Sequence, residues 1–293
     1  MKPKTFPPEV ILETCIGCGL CVEVCPSFVL DVTDGKASVV RGEWCIGCGH
    51  CGAICPVEAI MHQTTVAEST LQRDQIQTIL PENFLLFLRQ RRSVRVYRDE
   101  PVPDSMLERI LDAGRYAPTG SNSQNVHYVV LRSRDEITRL REMTITFYER
   151  IFSRVRSQFG AFLLSLFAGR RIVEYLRESL PKLEHAKELI AQGEDCLFYH
   201  AGALMVVHAE AWDTCSAFNC AVALYNCSLM ADTIGVGCCF NGYLVSAVNN
   251  DRSIKKWLSI PRDHRCFAAM TLGYQQIQYQ RLIGRDDAKV QWR

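Results

Sequence analysis

The sequence predicts an α+β protein built in two parts. Three observations lead there. A short N-terminal stretch, Cys15 to Pro56, carries the same cysteine spacing twice. From about Phe84 onward the composition turns to an ordinary globular mixture. In that longer part, helical and strand patterns follow one another without strict βαβ alternation, which favours α+β over a doubly wound parallel sheet. The expected division is a small unit over residues 1–65, a polar linker over 66–86 and a second domain over 87–293.

The totals bound what such a chain can do. Its 293 residues are 48% hydrophobic and 22% charged, which is enough apolar material for a sizeable core. With 33 basic and 32 acidic residues the formal net charge is +1. That balance argues against nucleic acid or a membrane surface as partner. Met1–Glu9 has three prolines and no apolar run, so no secretory signal is read there. The apolar stretches around Phe159–Gly169 and Ala201–Ala209 fall short of the ~20 residues of a spanning helix. A cytoplasmic protein outside the membrane is expected.

Within the first part, Ser27–Val32 and Ala37–Arg41 are short β-rich runs around Asp34-Gly35, the pattern of a hairpin. Pro56–Ile60 can open a short helical turn. Residues 66–86 are polar, rich in Gln and interrupted by Pro81. Asp104 is placed to cap a helix over Asp104–Arg115, with apolar positions at Met106, Ile110, Leu111 and Ala113. Ala117–Asn125 reads as a polar loop and His127–Arg132 as a strand. Residues 135–195 look mainly helical. Ala203–His208 reads as a buried strand, Ala217–Ile234 as a long helix ended by Gly235, and Gly235–Tyr243 as a glycine-rich turn. Arg265–Gly273 is a further strand, followed by a basic tail.

The repeat carries the most specific chemistry. Cys15, Cys18, Cys21 and Cys25 precede Pro26; Cys45, Cys48, Cys51 and Cys55 precede Pro56. Zinc would use paired C-x2-C units and has no need of a third cysteine two residues on. A disulfide framework conflicts with the missing signal and with thiols this close in sequence. Iron–sulfur ligation uses each C-x2-C-x2-C-x3-C-P run as it stands, the fourth cysteine serving the other cluster. The first 65 residues thus resemble the bacterial two-cluster ferredoxins. That resemblance implies two [4Fe-4S] clusters, one on Cys15, Cys18, Cys21 and Cys55, the other on Cys45, Cys48, Cys51 and Cys25. Gly17, Gly19, Gly47 and Gly49 let the backbone wrap closely and offer amides to the cluster sulfurs.

Such a module passes single electrons and needs an acceptor. Arg91, Arg92, Ser93 and Arg95 place guanidinium groups and a hydroxyl together, which suits a phosphate, although a solvated basic face is the plainer reading of that segment alone. The loop Ala117–Gln124, the turn at Gly235–Tyr243 and the tail Tyr279–Arg285 follow in order. The turn is not G-x-G-x-x-G, so a dinucleotide fingerprint is absent. Taken together, residues 84–293 resemble the nitroreductase family of FMN flavoproteins. The resemblance implies a homodimeric α+β fold with FMN at the dimer interface. It assigns the FMN phosphate and ribityl chain to Arg91, Arg92, Ser93 and Arg95, and the flavin-ring loop to Pro118, Thr119, Asn122 and Gln124. Backbone amides of Asn241 and Gly242 would face the ring, and Arg285 or its neighbour Arg281 would complete the phosphate site. Two departures stand out: Gln124-Asn125-Val126 replaces the usual Gln-Pro-Trp, and Asn241 replaces an acidic residue.

Other candidates read as structural. Cys220 and Cys227 share one helix face and suit a core; Cys238 and Cys239 flank the turn and could be redox-active. His200 and His208 flank an apolar strand without a carboxylate at metal spacing and read as core or edge histidines. No side chain is assigned as catalytic, because in a flavin enzyme the cofactor carries the chemistry. The expected function is an FMN-dependent oxidoreductase that passes electrons from two clusters through FMN to a small electron-poor acceptor, a nitroaromatic, quinone or activated alkene. The donor would be a low-potential electron carrier or NAD(P)H. The rivals are a non-enzymatic electron-transfer or redox-sensing protein with FMN as relay, and a flavin dehydrogenase or dehalogenase.

Overall fold

The computed structural model describes residues 7–62 and 78–293. One compact unit runs up to Pro81 and includes Thr119–Gln124; the other comprises Glu82–Pro118 and Asn125–Arg293. Residues 66–77, most of the expected linker, lie outside the described residues.

In the first unit, β1 (Glu9–Val10) pairs antiparallel with β4 (Ile60–Met61), and β2 (Leu30–Thr33) pairs antiparallel with β3 (Lys36–Val39). Asp34 and Gly35 both take left-handed backbone, φ 50° and 75°, so the expected hairpin closes through two positive-φ positions. The short helices α1 (Leu20–Glu23) and α2 (His50–Ile54) each start from a left-handed glycine, Gly19 at φ 77° and Gly49 at φ 73°. The helical turn expected after Pro56 is not there; α2 ends before Cys55 and the chain turns into β4. The reason is local: Glu58 sits at φ 52°, a left-handed residue that a right-handed helix cannot accommodate. Val29, Leu30, Ala37, Ala59 and Ile60 form a small core with four of the cysteines, Cys15, Cys21, Cys45 and Cys51. A core this thin leaves room for bound metal to contribute folding energy.

The second unit is organised by a four-stranded antiparallel sheet. Its strands are β5 (His127–Leu131), β6 (Ala203–Glu210), β7 (Val236–Phe240) and β8 (His264–Tyr274), in the spatial order β5-β6-β8-β7. Residues Ala203–Ala209 of β6 are all buried, as expected for a strand covered on both faces. One face packs on α4 (Asp104–Arg115) and α8 (Ser216–Thr233), where Ile110, Met205, Val207, Leu224 and Met270 form one core cluster. The other packs on α5 (Arg134–Arg156), α9 (Gly242–Asn250) and α10 (Arg252–Trp257), where Leu140, Leu204, Val206, Leu244 and Ile254 form a second. Cys220 and Cys227 lie fully buried on α8, and burial pushes both thiols up to about 12. They are packing residues, as the spacing predicted.

The expected helical stretch divides into α5, α6 (Gln158–Ala168) and α7 (Arg170–Ala191). Two expectations need correction. Pro81 does not interrupt a linker but begins α3 (Pro81–Gln90), since proline fits the first turn of a helix, where no amide partner is needed. The segment after Gly235 is not a turn: Gly235 alone turns, at φ 76°, and Val236–Phe240 is the edge strand β7. Gly237 conceals the strand character in the sequence, and the structure explains its presence. A Cβ there would lie 2.7 Å from a Val94 methyl.

Candidate functional site

The eight repeat cysteines sort into two groups of four around two separate concavities. Cys15, Cys18, Cys21 and Cys55 line one; Cys25, Cys45, Cys48 and Cys51 line the other. The grouping follows from the fold. β1 and β4 pair at the ends of the repeat, so the last cysteine of each half is carried across to the first three of the other half. The two halves repeat their backbone detail as well. Val29 donates its amide to Cys25 Sγ at 3.3 Å, and Ala59 donates to Cys55 Sγ at 3.2 Å. Phe28 and Glu58, each three residues after a fourth cysteine, both take left-handed backbone.

Several groups bias the Cys15 sulfur toward the thiolate form that metal ligation requires. Cys15 Sγ accepts from the Ala37 amide at 3.4 Å. Backbone N–H groups of Ala37 and Gly17, with the Lys36 ammonium, hold its thiol below the ordinary cysteine value. Burial has the opposite effect at Cys21, whose thiol it raises, and at Cys51, whose thiol it pushes up to about 11. Gly17 cannot be replaced locally, because a Cβ would meet Gly35 O at 2.0 Å on a φ of 69°. One neighbour lacked a sequence signal: His62 Nε2 stands 3.6 Å from Cys45 Sγ. Only the pairing of β4 brings it there.

Thr119–Gln124 belongs to the same unit. Ser121, Asn122 and Gln124 all have positive φ, an arrangement that costs on the order of 1 kcal/mol or more per residue. The loop is held by its own groups: the Gln124 amide donates to Thr119 Oγ1 at 3.0 Å, and Gln124 Nε2 donates to Asn122 Oδ1 at 3.3 Å. Asn122 Nδ2 donates to Ile46 O, between Cys45 and Cys48, at 3.0 Å.

In the second unit, Arg91, Arg92 and Ser93 follow α3. Val94 donates its amide to Cys238 O at 2.9 Å, which ties the segment to β7. Arg92 Nη1 donates to the carbonyls of Arg89 and Arg91 at 2.7 and 2.9 Å. Arg91 Nη1 and Arg92 Nε and Nη2 are buried without a hydrogen-bond partner among the described residues. Buried guanidinium nitrogens left in that state are expensive, and a phosphate supplies the planar acceptors they lack. The observed donors therefore fit the phosphate of a flavin mononucleotide. An open cleft of about 390 Å³ takes in Arg92, Gly237 and Tyr279. Tyr279 Oη donates to Ser93 O at 3.4 Å, bringing the start of the tail to this segment. Arg281 and Arg285 lie farther along, exposed. Pro118 is also exposed, at the end of the segment after α4.

Arg95 has partners that sequence spacing did not indicate. The Cys239 thiol, and after it the Tyr199 hydroxyl, raise its pKa, and Tyr199 hydrogen-bonds it. Tyr199 and His200 have φ of 59° and 55°. The buried carboxylate of Asp195 stabilises that bend, accepting from the amides of Leu197, Phe198 and His200 at 3.0, 2.9 and 3.1 Å. Burial pushes the Cys238 thiol up to about 12, so it stays neutral.

Asn241 does more structural work than expected. Its amide donates to Ala269 O at 2.8 Å, its Oδ1 accepts from Leu244 N at 2.9 Å as the cap of α9, and its Nδ2 donates to Leu197 O at 2.7 Å. Both its backbone and side-chain donors are engaged. Gly242, the next residue, is exposed, and a Cβ built on it meets nothing within 4 Å.

Residues 88–274 match the nitroreductase family, and residues 8–56 match a 4Fe-4S dicluster domain. The chain belongs to the nitroreductase family and carries a ferredoxin-type domain at its N-terminal end. Among solved structures, it resembles an FMN-bound nitroreductase of Bacteroides fragilis at 25% identity, covering 70% of this chain and 94% of that one, with a TM-score of 0.50. An FMN-bound nitroreductase of Desulfitobacterium hafniense shares the fold at 17% identity, covering 73% and 99%, with a TM-score of 0.52. Among curated proteins, a candidate NADH dehydrogenase/NAD(P)H nitroreductase of Archaeoglobus fulgidus is 38% identical over 61 residues, 21% of this chain and 35% of that protein. One from Methanothermobacter thermautotrophicus is 32% identical over 56 residues, 19% and 29%. The matches thus span about a third of the length of these curated relatives. No helix among the described residues is long and apolar enough to cross a membrane.

Proposed function

We propose that the protein is an iron–sulfur flavoprotein oxidoreductase that reduces a small electron-poor acceptor, a nitroaromatic, quinone or activated alkene. The observation that carries this reading is the combination, on one chain, of two four-thiol groups with a nitroreductase-family domain. The eight cysteines hold two [4Fe-4S] clusters, which supply one-electron transfer. FMN supplies exchange of hydride or single electrons with the acceptor. The donor is a low-potential electron carrier or NAD(P)H.

The chain's own residues bind and orient. Arg91 and Arg92 neutralise and orient the FMN phosphate through their unpartnered nitrogens. Ser93 and Arg95 serve the ribityl side, with Tyr199 fixing the Arg95 guanidinium. By family resemblance, Pro118, Thr119, Asn122 and Gln124 serve the flavin ring, as does the Gly242 amide, and Arg285 or Arg281 adds a further phosphate cation. The role of Asn241 is to cap α9 and so position Gly242. The working form is a homodimer in the cytoplasm, where a reducing environment preserves cluster thiolates.

Anaerobic stopped-flow tests the reading. The fully reduced protein is mixed separately with a nitroaromatic, a quinone and an activated alkene while flavin absorbance is followed. Rapid reoxidation by at least one is expected. Reoxidation by a protein partner alone, with every small acceptor inert, would replace the reductase reading with an electron-transfer one.

A further inference from the structure

We propose that His127, Glu210 and His264 form a binding site for a divalent transition-metal ion, Zn²⁺ foremost, at one end of the four-stranded sheet. Their ligand atoms all lie within 4.8 Å of one another. The three residues come from β5, β6 and β8, which are neighbours in the sheet.

Strand register explains how residues so distant in sequence meet. His127 stands opposite His208, and Glu210 stands opposite His264. His208 and Glu210 are two apart on β6, so they share a face, and cross-strand partners share it with them. It is the face that carries Leu131, Leu204 and Val206 into the second core cluster. At the end of the strands that apolar face gives way to imidazoles and a carboxylate. A register shift between Val207 and His208 adjusts the strands at the point where they do so.

The donor set suits the ion. Two imidazoles and one carboxylate bind Zn²⁺ tetrahedrally and leave one position for water or a further ligand. Bonds of ~2.1 Å place tetrahedral ligand atoms about 3.4 Å apart, which small side-chain rotations reach from the observed spacing. Supporting contacts are already present. Asn125 Nδ2 donates to Glu210 Oε2 at 3.0 Å, leaving the other carboxylate oxygen available. His264 Nδ1 lies 2.9 Å from His208 Nδ1, a contact that orients the His264 ring. Such outer hydrogen bonds fix the orientation and tautomer of a ligating imidazole. The Lys255 ammonium is turned to the carbonyls of Arg262 and His264. His127 is exposed, so an ion can enter from solvent, while buried His264 anchors it. One ion bound there would join three of the four strands.

The test uses the full-length, cluster-loaded protein under anaerobic conditions. Wild type, His127→Ala and Glu210→Gln are dialysed against Zn²⁺, and zinc and iron are counted by mass spectrometry. One zinc per chain beyond the full iron content is expected. Each substitution is expected to weaken it at least about 10-fold while iron content stays unchanged. Both substituted side chains are at least partly exposed, so neither variant depends on refilling a core. No zinc uptake by wild type, equal uptake by the variants, or uptake only in proportion to iron lost from the cysteines would each overturn the proposal.

Discussion

The two units gather their binding groups in different ways. In the first, every sulfur comes from a single stretch, Cys15 to Cys55, and left-handed glycines bend the backbone around two concavities. In the second, the residues proposed to hold FMN, the Arg91–Arg95 segment, Tyr199, Gly242 and the tail, come from distant parts of the chain, and the sheet positions them. Local spacing therefore dictates the metal chemistry of the first unit. The second depends on packing, with Val94 closed over Gly237 and Asp195 holding the bend at Tyr199. Damage to the first unit should be all-or-none for a cluster, whereas damage to the second should be graded.

The largest expected effect is that of Cys18→Ser. Removing one thiol of a four-thiol group should lower iron from about eight per chain to about four or fewer, read by iron analysis and by the EPR spectrum of the reduced protein. FMN content should remain. Concurrent loss of FMN would show that the two units do not bind their cofactors independently.

Arg92→Ala comes next. A charge-assisted hydrogen bond contributes about 1.5–3 kcal/mol, so FMN affinity should fall about 10- to 100-fold, measured by fluorescence of the released flavin. Arg281→Ala and Arg285→Ala should each have a smaller effect, because those side chains are exposed. An unchanged affinity in Arg92→Ala would remove the phosphate from this arginine pair.

Asn241→Ala sharpens the contrast between holding the fold and holding the cofactor. It loses the α9 cap and the bond to Leu197 O, and should destabilise the protein by about 1–2 kcal/mol in denaturant unfolding. FMN affinity of the folded variant should change by less than about 3-fold, since less than ~0.7 kcal/mol is at stake there. A larger drop would return Asn241 to direct flavin contact.

Last comes a pH dependence of stability in metal-free buffer, comparable in size to the effect of Asn241→Ala. Burial, and then the neighbouring His264 and His127, push His208 down to about 4 from 6.5. The unfolded chain takes up a proton at higher pH than the folded one. This contribution is therefore absent above about pH 6.5 and destabilises the fold progressively as the pH falls toward 4. Thermal unfolding from pH 7 to 5 should show a decline that His208→Gln flattens.

Much of this is legible in the sequence. The cysteine repeat, the Asp34-Gly35 hairpin, the helix Asp104–Arg115 and three of the four strands of the second unit are all signalled by local spacing or periodicity. The strand at Val236–Phe240 was hidden, because Gly237 is there for its contact with Val94 and not for its β propensity. Asp195, Tyr199 and His62 gave no signal, since each acts through a neighbour remote in sequence.

The sequence by itself determined that eight thiols form two metal-binding runs and that an arginine-rich segment precedes an amide loop, because spacing along the chain is enough to define those patterns. Tertiary structure alone decided that Arg91 and Arg92 carry buried nitrogens with no partner among the described residues, and that Asn241 is committed to a helix cap. It also decided that His127, Glu210 and His264 converge on one sheet face. Burial and strand register are properties of segments that meet only in the folded chain.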